Sequence, residues 1–249
     1  TAGRKTGRLP NFIIVGAAKS ATTWLTICLN EHPLIFIPRQ ETQYFSWYYN
    51  MWNPAAPEYL GLFSDATEIQ LVGENSNTYL PDPGAAARIY KSIPNVKVIA
   101  CLRNPIRRAY SDYCMHLRLG RVTSVIEDYL DPSRTSWRPF LDWGLYYEQL
   151  TRYIERFGRD QVGIFFTEEL INNPVNGISD VINWIGIPSR DFSSPSALSR
   201  ENTADQGDLP RALRRFLNRT SMGRRVAELG KLLRVNRITR RMMSTRFNY

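Results

Sequence analysis

The sequence has few cysteines and lacks long apolar runs. Its three cysteines, Cys28, Cys101 and Cys114, are scattered over 249 residues without the spacing of metal ligands. This pattern excludes the disulfide framework of a small secreted domain and favours buried thiols in a reducing compartment. No apolar run approaches the roughly 20 residues that a membrane-spanning helix needs, and no secretory signal is visible. We therefore expect a cytoplasmic protein, and we identify no metal ligands.

Acidic residues are nearly missing from the C-terminal segment, residues 211–249. This segment holds twelve of the 32 Lys and Arg residues but one of the 23 acidic residues, so it carries the whole basic excess of a chain whose net charge is +9. Its apolar residues keep rough helical spacing, which predicts a basic amphipathic helix. Such a helix suits three roles: packing with solvated arginines, attachment to anionic lipid, or steering of an anionic substrate. The sequence leaves these three roles open.

Apolar runs of strand length alternate with helix signals between residues 10 and 190. This alternation predicts a three-layer α/β/α fold with a central parallel sheet, in one domain that spans residues 10–249. Ligands of such sheets bind at the carboxyl ends of the strands. The predicted strands are residues 12–15, 34–37, 70–73, 96–102 and 161–166, and the predicted helices are residues 21–30, the stretch DPGAAARIYKSI, residues 105–119, 142–157 and 174–185.

The stretch FIIVGAAKSATTWL, residues 12–25, has the pattern of a strand, a turn of small residues and the start of a helix. Small residues let backbone N–H groups approach an anion, and the first N–H groups and the dipole of a helix favour negative charge. Lys19 adds a full positive charge, and Ser20, Thr22 and Thr23 add hydroxyl groups. The pattern predicts a phosphate or sulfate cradle. The alternative is an ordinary strand–turn–helix with a solvated lysine.

This loop lacks the second glycine of a nucleoside-triphosphatase loop. Such loops read G-x-x-x-x-G-K-[ST], whereas Ala18 precedes Lys19 in this chain. Kinases also use an acid at a strand end to help hold Mg²⁺, but the strand VKVIACL is followed by Arg103. A nucleotide-dependent small-molecule kinase with a degenerate loop is therefore the weaker alternative.

Arg103 opens a second basic stretch, RNPIRRAYSDY. Asn104 and Pro105 are a helix-start signal, with Asn104 as the cap and Pro105 at the first helical position. Ser111 lies seven residues after Asn104, which is about two helical turns, so it returns to the same face. We expect Arg103 and Ser111 to grip one phosphate, with the guanidinium as a planar fork. The alternative is a solvated, arginine-rich helix.

Together, GAAKSATTWL and RNPIRRAYSDY resemble the two nucleotide motifs of sulfotransferases that use 3′-phosphoadenosine 5′-phosphosulfate, PAPS. The segment QETQYFS, residues 40–46, resembles the one that carries the acceptor-activating glutamate in the heparan-sulfate-type, Golgi-related branch. DWGLYYEQLTRYIERF and EELINNP resemble bacterial members, and the resemblance covers roughly residues 10–190. It implies the P-loop nucleotide-hydrolase-like sulfotransferase fold. It also implies PAPS as co-substrate, adenosine 3′,5′-bisphosphate as product and no metal.

The resemblance implies roles for the matching residues. Glu41 would be the general base that takes a proton from an acceptor hydroxyl or amine, and Lys19 would stabilise the sulfuryl and leaving-group oxygens. Trp24 would stack on adenine, although a core position on the first helix is its alternative. Arg200, in SRENTADQGDLPR, would belong to the loop that covers the 3′-phosphate. The implied nucleotide-binding residues are Lys19, Ser20, Ala21, Thr22, Thr23, Trp24, Arg103, Ser111 and Arg200.

The chain departs from the heparan-type branch at two positions. Asn75 stands where that branch often has a lysine after the glutamate of the next strand, and Gln43 stands where some members have a histidine. Because of these departures, we assign any acid–base catalysis to Glu41. The candidate acceptor-side residues are Gln43, Glu74 and His116, and a structural role is the alternative for His116.

By resemblance we expect a small-molecule, carbohydrate or glycolipid acceptor. We expect a bacterial cytoplasmic enzyme with peripheral contact to an anionic membrane through residues 211–249; the alternative is a truncated catalytic domain from the Golgi lumen. A nucleic-acid-binding or membrane-binding module driven by the basic segment is a further alternative. Nucleic acid is not expected as a partner, because such a module gives no reason for the spacing of Lys19, Arg103 and Ser111.

Overall fold

The computed structural model describes residues 8–46, 49, 57–123, 125–131, 138–188 and 192–197. The chain divides into two compact units, one formed by Thr1–Arg103 with Asp142–Thr203 and the other by Asn104–Leu141 with Ala204–Tyr249. The strands are β1 (Phe12–Gly16), β2 (Ile35–Phe36), β3 (Leu71–Asn75), β4 (Lys97–Leu102) and β5 (Val162–Phe166). The helices are α1 (Thr22–Asn30), α2 (Pro57–Gly61), α3 (Ala85–Ser92), α4 (Pro105–Arg118), α5 (Glu127–Leu130), α6 (Pro139–Asp142), α7 (Tyr146–Phe157), α8 (Thr167–Asn172) and α9 (Pro174–Ile185). Two 3-10 helices lie at Arg159–Gln161 and Pro195–Ala197.

The first unit is built on a five-stranded sheet with the order β2-β3-β1-β4-β5, in which every neighbouring pair is parallel. β1 lies in the middle, and the chain moves to β2 and β3 on one side before it crosses to β4 on the other. Such a reversal of direction is where open parallel sheets bind ligands. The predicted α/β fold with a central parallel sheet and flanking helices is confirmed. The prediction of one domain over residues 10–249 stays a prediction.

β1 is buried along its whole length because its residues are apolar on both sides of the strand. Phe12 and Ile14 belong to a core cluster with Leu25 of α1 and Ile182 of α9, and α1 contacts α9. Ile13 and Val15 alternate with them and are equally buried, so the opposite face of the strand is covered as well. The strand is therefore a rigid support for the loop that follows it.

In the second unit, α4 begins where the sequence predicts. The Asn104 side chain accepts hydrogen bonds from the backbone N–H groups of Ile106 and Arg107, at 3.1 and 3.3 Å, and Pro105 is the first helical residue. The helix ends at Arg118, and Gly120 beyond it has a φ of +65°. Local capping chemistry thus sets both ends of this helix.

The prediction of one helix over residues 142–157 is wrong at its start. The structure has the short helix α6 up to Asp142, then a turn through Gly144, and α7 from Tyr146. The Asp142 carbonyl accepts from the Leu145 N–H at 3.1 Å and from Gln149 Nε2 at 2.9 Å, so it closes the turn instead of continuing the helix. The sequence analysis also missed the short helices α2, α5, α6 and α8. In the described part of the chain, no helix combines the length and apolar character needed to cross a membrane.

Gly73 on β3 packs closely against Phe12 and Ile37, so a larger residue at this position should destabilise the fold. A Cβ at this position would lie 2.9 Å from Cγ1 of Ile37 and closer still to the buried Phe12 ring. We expect Gly73→Ala to lower the free energy of unfolding by about 1–3 kcal/mol through overpacking, as measured by urea denaturation. Gly61→Ala is the matched control, because a Cβ there meets nothing within 4 Å. Equal stability of the two variants would contradict this packing.

Candidate active site

The loop between β1 and α1 has the backbone shape of an anion cradle. Lys19 and Ala21 have left-handed φ values of +66° and +60°, which are unusual for residues with a side chain. Ala21 caps α1 without a side-chain hydrogen bond, and the first turn of α1 contains no acidic residue. The first N–H groups of the helix are therefore open to an anionic group from outside the helix.

Ser20 gives this loop a buried polar group. Ser20 is 0% exposed, and its Oγ has no hydrogen-bond partner among the described residues. The Ser20 carbonyl accepts a hydrogen bond from Thr167 Oγ1 at 2.9 Å, which ties the loop to the end of β5. Because a buried hydroxyl without a partner costs about 1–3 kcal/mol, such an atom fits a ligand that supplies the missing acceptor.

The loop is also tied to the carboxyl end of β4. The Ala17 N–H donates to the Cys101 carbonyl at 2.7 Å, and Arg103 Nη1 donates to the Lys19 carbonyl at 3.2 Å. The predicted pair of cations, Lys19 and Arg103, is thus brought to the same edge of the sheet. Both residues are partly exposed, so their charge can act on a group that approaches from solvent.

The segment after β3 reaches the same edge. A Cβ on Gly16 would lie 2.9 Å from the Asn77 carbonyl oxygen, so the two loops are in close contact. Asn77 Nδ2 donates a hydrogen bond of 2.7 Å to Glu41 Oε1. Asn77 therefore joins the loop of Gly16 to the predicted general base, and Glu41 lies at the sheet edge where the sequence predicts it.

Glu41 is partly exposed, and its surroundings favour the protonated form. Burial raises the pKa of this carboxyl above its ordinary value of 4.5, while hydrogen bonds from Asn77 and Gln43 act in the opposite direction. A carboxylate whose pKa is raised binds a proton more strongly than an exposed one. Glu41 is thus suited to accept a proton from a bound acceptor.

Glu74 does not lie where the sequence analysis expected it. It is 0% exposed, and its oxygens accept hydrogen bonds from the hydroxyls of Thr42, Tyr59, Tyr79 and Ser76. The prediction that Glu74 is an acceptor-side group is corrected for this reason, since its carboxylate is enclosed by the chain itself. Burial also raises the pKa of Glu74, against the effect of these four hydroxyls.

Two other predicted residues have defined positions on α1 and after β2. Trp24 is 8% exposed, lies in the core cluster, and donates from Nε1 to the Ser196 carbonyl at 3.1 Å. This is the packing position that the sequence analysis gave as the alternative, and stacking on adenine stays a prediction. Gln43 has a φ of +50° and is partly exposed, and its contact with an acceptor also stays a prediction.

Ser111 and His116 lie on α4 in the second unit. Ser111 is 9% exposed. His116 Nε2 lies 3.8 Å from Asp112 Oδ1, and its ring meets Phe140 edge-on at 5.4 Å between centroids. Asp112 also pairs with the fully buried Arg108 at 3.2 Å. These contacts support the structural alternative for His116, and the roles predicted for Ser111 and His116 stay predictions.

Thr22 is buried in the first turn of α1, Thr23 is exposed there, and Ala21 is partly exposed. These three residues share the loop with Lys19, as the sequence predicts. Arg200 lies outside the described residues, as does the whole basic segment 211–249. Within the described ranges, no group of three or more His, Cys, Asp or Glu side chains could hold a metal ion.

Two residues that hold the site, Asn77 and Thr167, were not predicted from sequence patterns. Asn77 holds Glu41, and Thr167 holds the Ser20 carbonyl. The available signal for Asn77 was its position in GENSNTYL, where polar residues directly follow a buried strand. Thr167 similarly follows the strand β5. Both hydrogen bonds join segments far apart in the chain, which spacing alone does not reveal.

A parallel sheet with an anion-ready loop at its edge defines a protein of the class that binds phosphate or sulfate groups. Residues 9–203 match the family described as "Sulfotransferase domain", and this chain belongs to that family. A crystal structure of a sulfotransferase from Alicyclobacillus acidocaldarius is 31% identical, with a TM-score of 0.70. That similarity covers 84% of this chain and 90% of the bacterial one.

Two curated relatives are similar over smaller shares of this chain. Heparan sulfate glucosamine 3-O-sulfotransferase 6 of Mus musculus is 27% identical over 185 residues, which cover 72% of this chain and 53% of the mouse protein. Membrane-associated sulfotransferase kil1 of Dictyostelium discoideum is 34% identical over 106 residues, or 42% of this chain and 22% of that protein. The chain thus spans about half or less of the length of these relatives.

The hydrogen bond from Asn77 generates a prediction about Glu41. Asn77→Ala removes a donor that stabilises the charged carboxylate, so we expect the pKa of Glu41 to rise further. A carbon-detected NMR titration of the glutamate carboxyl groups measures this pKa directly. Asn95→Ala, at an exposed turn position, is the control and should leave the titration unchanged. A pKa of Glu41 that stays constant or falls in Asn77→Ala would refute the contact.

Proposed function

We propose that this chain transfers the sulfuryl group of PAPS to a hydroxyl or amine of a carbohydrate acceptor. The observation that carries the proposal is the loop between β1 and α1, where Lys19 adjoins Arg103 and the buried Ser20 hydroxyl has no partner in the described part of the chain. Membership of the sulfotransferase family supports the same chemistry.

The proposed nucleotide site depends on cationic side chains and on backbone N–H groups that can donate hydrogen bonds to the phosphates. The start of α1 offers backbone N–H groups and the positive end of the helix dipole to the 5′-phosphosulfate. Lys19 and Ser20 add a cation and a hydroxyl, and Ala21, Thr22 and Thr23 supply the turn. Arg103 is assigned to the 3′-phosphate. Ser111, Trp24 and Arg200 are retained as nucleotide-binding residues on the resemblance alone.

The reaction proposed is an in-line displacement at sulfur. The acceptor oxygen or nitrogen forms a bond to sulfur while the bond from sulfur to the 5′-phosphate oxygen breaks, and adenosine 3′,5′-bisphosphate leaves. Glu41 takes the proton that the acceptor loses. Lys19 offsets negative charge that develops on the leaving phosphate oxygen. Most of the rate enhancement would come from positioning and from this charge stabilisation.

Glu41 suits the role of base because it is partly buried and because Asn77 orients its carboxylate. Its raised pKa increases its affinity for the acceptor proton, and Asn77 holds one of its oxygens at 2.7 Å. Since the base must be ionised, activity should fall as the pH decreases through the pKa of Glu41. That fall begins at a higher pH than for a glutamate with the ordinary value of 4.5.

A carbohydrate acceptor is favoured by the heparan sulfate relatives, which are named for sulfation of glucosamine. Gln43 is retained as an acceptor-side candidate because it lies two residues from Glu41, and His116 is retained on the sequence argument. Contact of residues 211–249 with an anionic membrane and a cytoplasmic location also remain proposals.

A small-molecule kinase is disfavoured, because Glu74, the acid on β3, is enclosed by four hydroxyl groups.

Calorimetric titration with adenosine 3′,5′-bisphosphate, without metal, tests the nucleotide site. We expect binding that Lys19→Ala and Arg103→Ala each weaken by about 10- to 100-fold, because each removes a charged hydrogen-bond donor. Lys91→Ala, an exposed cation on α3, is the control and should bind as the wild-type chain does. Binding of ATP with Mg²⁺ in place of the bisphosphate would reject the proposal in favour of the kinase.

A further inference from the structure

The segment that follows Glu41 is held through its backbone. Three successive N–H groups donate to hydroxyl oxygens of side chains, at distances between 2.9 and 3.3 Å. A main-chain segment fixed at three consecutive residues cannot shift without breaking several bonds. The three bonds run from Gln43 to Ser76 Oγ, from Tyr44 to Thr42 Oγ1, and from Phe45 to the Tyr79 hydroxyl.

The same three hydroxyls all meet one carboxylate. Thr42, Ser76 and Tyr79 donate to Glu74 Oε1, and Tyr59 donates to Glu74 Oε2 at 2.6 Å. We call Glu74 with these four hydroxyl residues the Glu74 cluster. Glu74 lies on β3, Ser76 and Tyr79 follow that strand, Tyr59 lies on α2, and Thr42 belongs to the segment of residues 42–45 itself.

The contacts of Glu74 with the four hydroxyls explain why three of these hydroxyls can accept from the backbone. A hydroxyl has one proton and two lone pairs, and an ionised carboxylate only accepts. When the hydroxyl proton points at Glu74, the lone pairs are left for the N–H groups of residues 43–45. A glutamine at position 74 presents two N–H donors on one side. Its amide nitrogen cannot accept, so at least one of the four hydroxyls would lose its acceptor and reorient, which disturbs the arrangement that leaves lone pairs for the backbone N–H groups.

The bonds of the Glu74 cluster are shielded from water. Glu74 is 0% exposed and Tyr79 is 0% exposed. A hydrogen bond in a low-dielectric interior is electrostatically stronger than the same bond in water. Networks of this kind rigidify their surroundings when every member is satisfied.

We propose that Glu74 is a positioning residue for the sulfuryl transfer, because it orients the hydroxyls that fix residues 42–45 and so holds Glu41 in place. This inference rests on the proposed function. Glu74 acts through the Glu74 cluster and touches neither nucleotide nor acceptor. Asn77 holds the side chain of Glu41, and the Glu74 cluster holds the main chain of the residues that follow Glu41.

The test compares Glu74→Gln with the wild-type chain in two measurements. Native-state amide hydrogen exchange reports directly on the segment, and we expect exchange at residues 43–45 to accelerate by about tenfold or more. Turnover of PAPS, with a heparan sulfate oligosaccharide as probe acceptor and with water alone, should show kcat reduced by about 10- to 100-fold. The dissociation constant of adenosine 3′,5′-bisphosphate should change by less than about threefold.

Glu31→Gln is the matched control. Its carboxylate also accepts from two hydroxyls, those of Ser194 and Ser196, but it lies after α1 and away from residues 42–45. It should leave exchange at residues 43–45 and kcat unchanged. If Glu74→Gln fails to fold, Tyr79→Phe replaces it, because it removes a single hydroxyl. We then expect faster exchange at Phe45 and a smaller loss of kcat.

The outcomes separate this inference from the proposed function. Unchanged exchange at residues 43–45 would overturn it, and so would faster exchange with unchanged kcat. A loss of bisphosphate affinity as large as the loss of kcat would also overturn it, because the substitution would then act on the nucleotide site. A wild-type chain that binds no bisphosphate and turns over no PAPS refutes the proposed function and the positioning role of Glu74 together.

Discussion

The start of α1 is the feature on which the candidate site depends. This helix follows the buried strand β1 after a short loop, and it has neither a capping side chain nor an acid in its first turn. Its first backbone N–H groups therefore need an acceptor. Lys19 and Ala21 have the left-handed backbone that is typical of anion-binding concavities of N–H groups. The hydroxyl of Ser20 sits in the same loop without a partner among the described residues. A phosphate or sulfate group satisfies these donors together.

The order of the strands in the sheet brings the other residues of the candidate site to the same edge. Because β1 has parallel neighbours on both sides, residues that follow β3 and β4 reach the edge where the loop lies. Arg103 comes from β4 and adds a cation, whereas Asn77 comes from β3 and holds Glu41. The cation Arg103 and the carboxylate Glu41 thus follow strands that lie on opposite sides of β1 in the sheet. This arrangement suits a transfer reaction, since charge develops on one side of the reacting atom and a proton leaves on the other.

Local sequence signals predicted much of this arrangement. Apolar runs placed all five strands to within a few residues, the Asn104–Pro105 pair placed the start of α4, and the small residues before Lys19 identified the loop. What the sequence could not reveal were bonds between distant segments. The burial of Glu74 depends on Thr42 and Tyr59, which are 32 and 15 residues away from it. An acidic residue next to a strand end has the same pattern whether it faces solvent or a cluster of hydroxyls.

The proposed role of Glu41 as the base in sulfuryl transfer can be measured with labelled co-substrate. PAPS labelled at its sulfur is incubated with the wild-type chain or Glu41→Gln and a heparan sulfate oligosaccharide, while label in the acceptor and released adenosine 3′,5′-bisphosphate are followed together. The account predicts equal amounts of both products from the wild-type chain. It predicts transfer reduced by about 10²- to 10⁴-fold in Glu41→Gln, with the bisphosphate still bound. Transfer by Glu41→Gln at the wild-type rate would contradict the account.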